Sequence, residues 1–225
     1  MYDIVFISYN EPQADENWNS LKDRFPRAKR VDGVKGIHYA HIAAAKKCFT
    51  KMFWVVDADA QILNEFDFSY KVDEYDLETV HVWRSQNPIN ELIYGYGGVK
   101  LLPRRLTLNM DTSKPDMTTS ISKYFKAVPE IANVTAFNVD PFNTWKSAFR
   151  ECAKLASKTI DRQNEEETNE RLKVWTTVGR DRRFGEYALD GARAGMEFGI
   201  SSSDSLQLIN DFDWLHEQFS KHTMG

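Results

Sequence analysis

The sequence predicts an α/β fold: a mostly parallel central sheet flanked by helices, with a helical C-terminal part. Two observations predict it. Apolar runs at residues 4–7 and 52–56, with a short strand-like stretch at residues 28–31 between them, alternate with helical spacing inside about sixty residues, the pattern of βαβ units and a parallel sheet. Past residue 140, apolar side chains recur at three- and four-residue steps, which reads as packed helices.

Residues 4–7 form a continuous apolar run suited to a strand buried on both faces. It breaks at the polar turn Ser8-Tyr9-Asn10-Glu11-Pro12. Trp18, Leu21 and Phe25 then share one helix face, which Pro26 terminates. Residues 28–31 give a second short strand ending at Asp32-Gly33, with Gly36 just beyond. Ile42, Ala45 and Phe49 mark a helix rich in small residues, which leads into Met52-Phe53-Trp54-Val55-Val56-Asp57-Ala58-Asp59. Right-handed crossovers put all three strand ends on one rim, so Glu11, Asp32, Asp57 and Asp59 are expected to converge there.

Residues 79–83 read as another strand, carrying His81, and residues 84–88 as a loop. Tyr94-Gly95-Tyr96-Gly97-Gly98 precedes a strand at residues 99–102, closed by Pro103. These glycines suit either a close backbone approach to something flat or polar, or a plain bulge or hairpin. Residues 111–122 are polar, and residues 131–137 suit one more strand. Asp140-Pro141 has the form of an N-cap followed by Pro at the first helical position, so capping is preferred to catalysis for Asp140. Trp145, Phe149, Cys152 and Ala156 supply the buried stripe of the helix that follows. Residues 164–170 are an acidic, solvated stretch. Tyr187, Gly191, Ala194 and Phe198 mark a helix with small-residue faces, and Ser203-Asp204 opens the last one. With no repeat, low-complexity tract or linker, one domain over residues 1–225 is the expectation.

At 225 residues with 42% hydrophobic and 13% aromatic content, the chain can bury a substantial core. A net charge of −4 argues against a surface that binds nucleic acid indiscriminately, while leaving room for a local basic groove. Arg180, Arg182 and Arg183 beside Phe184 read either as a phosphate contact or as a surface ion-pair cluster. Cys48 and Cys152 sit in helix-like stretches and fit buried thiols in a reducing compartment. The N-terminal residues carry no leader-like or membrane-spanning pattern, so a cytoplasmic location without membrane partners is expected.

The motif that organises the chain is Asp57-Ala58-Asp59 at the end of an apolar strand. Open α/β sheets place ligands at the carboxyl ends of their strands. Carboxylate oxygens suit hard cations such as Mg²⁺ or Mn²⁺, which bridge phosphates. A solvated turn is the plain alternative, since Asp is a common turn residue.

Four elements in this order resemble a nucleotide-sugar glycosyltransferase of the GT-A (Rossmann-like) fold, family-two-like in flavour. They are Ser8-Tyr9-Asn10-Glu11, Asp32-Gly33 with Gly36, Asp57-Ala58-Asp59, and Gly97-Gly98-Val99. The resemblance covers the first 120 residues, which it implies to be the nucleotide-sugar-binding part. It hardly covers residues 121–225, the acceptor-side and more helical part. Short proteins of this kind also resemble glycosyltransferase-like products of large tailed phages, where the implied acceptor is a hydroxymethylated pyrimidine in DNA.

The resemblance implies roles for named residues. Asp59, with Asp57, would ligate Mn²⁺ or Mg²⁺ against the diphosphate of a nucleotide-diphosphate sugar donor. Asp57 would also meet the ribose or a water on that cation. Ser8, Asn10 and Glu11 would line the nucleoside pocket, and Asp32 would read the base edge. Gly97 and Gly98 would lie beneath the sugar or the acceptor. Asp116 stands where that family commonly keeps its general base, although the usual Glu-Asp pair is here Lys114-Pro115-Asp116. His81, His216 and His222 are candidates for a third metal ligand by residue type alone. The acceptor implied is a DNA base, a glycan or a small molecule; for DNA, the arginines together with Trp145 or Trp175 would hold the backbone and an exposed base. A metal-dependent nucleotidyltransferase and a non-catalytic sugar- or DNA-binding module of the same fold are the competing readings. The first of these is disfavoured by the absence of glycine at residues 8–12.

Overall fold

The computed structural model describes residues 1–95, 98–114, 116–158 and 164–223. The chain forms two compact units, one of residues 1–86 with 93–136, the other of residues 87–92 with 137–225. In the first unit the strands are β1 (Asp3–Ser8), β2 (Lys29–Asp32), β3 (Met52–Asp57), β4 (Ala60–Ile62), β5 (Val80–Gln86), β6 (Ile93–Tyr94), β7 (Val99–Pro103) and β8 (Phe125–Thr135). Its helices are α1 (Ala14–Arg24), α2 (Ile37–Lys46), α3 (Arg104–Leu108) and α4 (Met117–Ile121).

The fold is α/β, with a central sheet flanked by helices and a helical C-terminal part, as the sequence predicts. Its sheet runs β2-β1-β3-β7-β5-β8-β4, with β6 paired to β5. β1 is parallel to β2 and β3, and β5 is parallel to β8, whereas β7 pairs antiparallel with both β3 and β5. The sheet is therefore mixed and not mostly parallel as the sequence reading expects, because β7 runs against its neighbours; a continuous parallel block remains at β2-β1-β3. Register within that block sets Ser8 opposite Asp32 and Ile7 opposite Asp57, so the three strands end level with one another.

β3 and β4 are joined only by Ala58 and Asp59, yet three strands lie between them in the sheet order. Four steps across a flat sheet would span about 19 Å. Three residues of chain reach at most ~11 Å. The sheet must therefore curl, and the acidic turn sits where the curl brings β3 and β4 together. β8 follows, since Ala60 pairs with Thr135 and the Ala136 N–H donates to the Asp59 carbonyl at 2.7 Å.

Alternation along the central strands divides the core into two layers. Ile4, Phe6, Trp54, Val56 and Leu101 face α1, packing against Ala14 and Leu21. Val5, Phe53, Val55 and Leu102 face α2 and α4, packing against Ala44, Ala45, Met117 and Ile121. The first layer is aromatic: Trp54, fully buried, meets Phe66, Phe68 and Trp83 at ring-centroid distances of 5.8, 5.2 and 4.5 Å.

Several elements differ from the sequence reading. α2 ends at Lys46, so Cys48 is buried just beyond it and Phe49 is exposed rather than on its core face. Arg84, Ser85 and Gln86 continue β5 through a register shift against β8 instead of forming a loop. β8 starts at Phe125, six residues before the apolar run, because its first half is a polar, mostly exposed segment. Residues 111–122 contain α4.

The second unit holds α5 (Pro141–Ser157), α6 (Glu165–Thr177), α7 (Gly185–Ser201), a 3₁₀ segment (Ser203–Asn210) and α8 (Phe212–Thr223). Asp140 caps α5 as the sequence suggests, its Oδ1 accepting the Asn143 N–H at 2.7 Å. Gly191, Gly195 and Gly199 recur every fourth residue on α7 and lie against the backbone of Trp145, Phe149 and Ala153 of α5. With no side chains between them, the two helix backbones touch. Trp145, Phe149, Leu206, Ile209 and Leu215 then close the core around this pair. Among the described residues, no helix is long and apolar enough to cross a membrane.

Candidate active site

The parallel block delivers the expected residues to one rim. The buried Ser8 hydroxyl donates to Asp32 Oδ1 at 2.5 Å. Arg30 Nε donates to Ser8 Oγ at 2.9 Å, and its guanidinium also reaches Asp32 (3.3 Å) and Asp15 (2.6 Å). Gly33 turns the chain immediately afterwards at φ 71°, its N–H donating to the Ser8 carbonyl at 3.0 Å. That left-handed backbone favours glycine. Glu11 folds back so that Oε2 accepts the Tyr9 N–H at 2.8 Å, while Asn10 is exposed.

Three hydrogen bonds from three elements fix the acidic turn. The Asp57 N–H donates to the Gly98 carbonyl at 2.9 Å, Asn17 Nδ2 to the Ala58 carbonyl at 2.8 Å, and the Ala136 N–H to the Asp59 carbonyl. The backbone of the motif is thus preorganised.

The charge balance of this turn was not visible in the sequence. Lys100, the second residue of β7 and 3% exposed, places Nζ 2.7 Å from both Asp57 oxygens. Buried lysines are almost never left unpaired, and a Lys inside the apolar run Val99-Lys100-Leu101-Leu102 was the available signal. What the sequence could not supply was the antiparallel register that sets Lys100 opposite Val55, on the face of the sheet that Asp57 shares. Behind it, the buried His41 of α2 donates Nδ1–H to the Ile37 carbonyl at 2.8 Å. Burial, then the Lys100 charge, push the His41 pKa down to about 3, so this imidazole is neutral.

Asp59 has the opposite problem. Burial first, then the neighbouring Asp57 and Glu11 carboxylates, push its pKa up to about 7, with Lys100 offsetting part of the rise. Three carboxylates therefore sense one another at the mouth of the curl, with one fixed ammonium among them. Such a set is short of positive charge. Among the described residues no cluster of three or more His, Cys, Asp or Glu side chains is arranged to hold a metal alone. A cation of the Mg²⁺ type takes one or two carboxylates, keeps waters and shares phosphate oxygens. Asp59 and its neighbours fit that shared kind of binding and not a closed protein cage.

Across the rim, Asn133 of β8 is fully buried, donating Nδ2 to Ser85 Oγ at 2.9 Å and to Thr135 Oγ1 at 3.3 Å. A Cβ on Gly98 would stand 2.9 Å from that amide nitrogen, so the glycine ahead of β7 leaves room for the Asn133 side chain. Gly97 and Tyr96 lie outside the described residues.

Other candidates have structural occupations. Asp116 caps α4: Oδ1 accepts the Thr119 N–H at 2.8 Å and the Thr118 hydroxyl at 2.6 Å. The residue expected as general base is therefore engaged as a helix cap. Trp145 and Trp175 are each 1% exposed and cannot stack an extruded base. Arg182 pairs with Glu91 at 2.6 Å and Arg183 donates to the Val139 carbonyl at 3.3 Å, which favours the ion-pair reading of that cluster. His81 is buried with Nδ1 on the Thr79 carbonyl. His216 and His222 belong to the second unit, His216 stacked on Phe142.

No family model matches the chain, and no curated protein matches it. Among solved structures, HddC from Yersinia pseudotuberculosis is similar over 61% of this chain and 92% of its own, at 14% identity and a TM-score of 0.39. The mannosyltransferase PcManGT from Pyrobaculum calidifontis, in complex with GDP-Man and Mn²⁺, is similar over 100% of this chain and 85% of its own, at 12% identity and a TM-score of 0.40. At these values neither neighbour assigns an activity to this chain.

Proposed function

We propose that this chain is a metal-dependent transferase that moves a sugar from a nucleotide-diphosphate sugar to an acceptor hydroxyl. The observation that supports it is the gathering of Glu11, Asp57 and Asp59 at the carboxyl ends of parallel strands, beside the Ser8–Arg30–Asp32 network. Ligands of α/β sheets bind at such strand ends.

In this reading Asp59 holds Mn²⁺ or Mg²⁺, which when bound supplies Lewis-acid stabilisation of the departing diphosphate. Lys100 holds both Asp57 oxygens and so fixes its rotamer. Asp32, whose Oδ1 is held by Ser8 and Arg30, presents Oδ2 to a donor on a base edge. Glu11, tied to the Tyr9 N–H, walls the nucleoside side of the rim. The acceptor is a hydroxyl compound, and a hydroxymethylated pyrimidine in DNA is one class to try.

Thermal shift with UDP, GDP, CDP and ADP, each with and without Mn²⁺, tests the reading. A ligand at a hundred times its Kd adds ~2.7 kcal/mol to stability. We expect a shift that requires both nucleotide and Mn²⁺, loss of that shift in Asp59→Asn, and release of free nucleotide from the matching nucleotide sugar. A Mn²⁺-dependent shift without turnover on any acceptor would make the chain a binding module. No cation-dependent shift with any nucleotide would remove the proposal.

A further inference from the structure

Lys100 contributes more than a partner for one buried carboxylate. It reaches the acidic turn from a strand antiparallel to β3, is almost wholly buried, and contacts both oxygens of Asp57 at equal distance. The Asp57 side chain is 36% exposed, so a cation could reach it only at the outer lone pairs of two oxygens that the ammonium already engages and partly neutralises. The ammonium cannot swing far, because its stem runs through the layer formed by Val55, Leu102 and α2. The remaining carboxylate of the turn, Asp59, receives its charge compensation from Lys100 only at longer range.

We propose that Lys100 is a positioning residue that masks Asp57, so that the turn offers a divalent cation one carboxylate, Asp59, and the cation is held only together with a diphosphate. This rests on the transferase reading for the identity of the second ligand. Its geometric core, the masking of Asp57, stands apart from it. A cation bound through one protein carboxylate completes its shell with water and phosphate oxygens. The physical consequence is ordered occupancy: metal alone binds weakly, and metal with nucleoside diphosphate binds well.

The probe is Mn²⁺, followed by its room-temperature EPR signal, which drops when the ion is bound. The wild type is titrated alone and with each of UDP, GDP, CDP and ADP. Lys100→Met removes the competing ammonium. Lys100→Gln does so while keeping a hydrogen-bond donor for Asp57, which covers the case in which the methionine variant does not fold. Taking away a unit positive charge a few ångströms from an acidic pair should tighten Mn²⁺ binding, in the absence of any nucleotide, by at least about tenfold.

A lysine with a purely structural role predicts unchanged or weaker affinity, so tightening in either folded variant supports masking. Folded Lys100→Gln with wild-type or weaker affinity for Mn²⁺ alone overturns it. Wild-type protein that already binds Mn²⁺ alone as tightly as the folded Lys100 variants do also overturns it. If no nucleotide recruits Mn²⁺ to the wild type but the Lys100 variants bind Mn²⁺ more tightly, the transferase reading fails and the masking stands.

Discussion

Replacing Asp59 by Asn should make the metal-free protein more stable, and only at the upper end of the pH range. The carboxylate titrates near 7 in the folded chain against 3.8 for an unperturbed aspartate, raised by burial and by Asp57 and Glu11. Between these values the folded state keeps a proton that the unfolded state has released. Stability therefore falls as pH rises from about 4 to about 7, and is flat on either side. About three pK units correspond to ~4 kcal/mol as an upper bound. Asp59 keeps some solvent exposure and its charge is shared with two other carboxylates, so ~2 kcal/mol is the working figure. Asn has nothing to ionise and escapes this loss.

The assay is urea unfolding of both proteins in EDTA at about pH 4 and about pH 8, where the linkage argument predicts little difference at the first and a gain of ~2 kcal/mol for Asp59→Asn at the second. Addition of Mn²⁺ with nucleotide at the higher pH should reverse the ranking, because only the wild type can recover the energy through a bound cation. An asparagine variant that is equally stable, or less stable, at both pH values refutes the reasoning. It would mean that Asp59 is an ordinary solvated turn residue.

Two further outcomes follow from packing and burial. In Gly195→Ala the new methyl would stand 2.7 Å from Phe149 Cα and nearer still to its carbonyl oxygen; backbone cannot rotate aside, so overpacking of about 1–3 kcal/mol should exceed the ~1 kcal/mol gained in helix propensity, and the urea midpoint should fall. Burial, then the Asp3 carboxylate, push the Cys48 thiol up to about 12, and burial likewise raises Cys152. Neither should take up iodoacetamide in native protein near neutral pH, while both should react in denaturant, as mass spectrometry can count.

In the parallel block β1 and β3 were legible because each is an apolar run, and both of their faces are covered; the outer strand β2, Lys29–Asp32, is polar but for Val31 and was legible only from its place between two helical stretches. Asp140 was legible as a cap because Pro follows it. Asp116 carries the same function in a weaker pattern, Asp116-Met117-Thr118-Thr119, where the accepting geometry is local but the helix is only five residues long. Long-range pairings were beyond reach. Nothing near Lys100 in the chain names Asp57, forty-three residues away, as its partner. The first half of β8 escaped notice because Lys126, Pro129 and Glu130 interrupt any apolar alternation there. The chain passes between the two compact units after Gln86, Leu92 and Ala136, and the last of these crossings has no Gly- or Pro-rich linker for composition to reveal.

The reversed direction of β7 has a consequence for how such a rim can change. In a wholly co-directional sheet, a cleft at one edge is furnished only by segments that leave their strands. Here the segment arriving at Val99 reaches the same edge from which β3 departs, as the bond from the Asp57 N–H to Gly98 records. Incoming and outgoing chain thus share one doorway. Insertions ahead of β7 can remodel that edge while the acidic turn beside it is left alone.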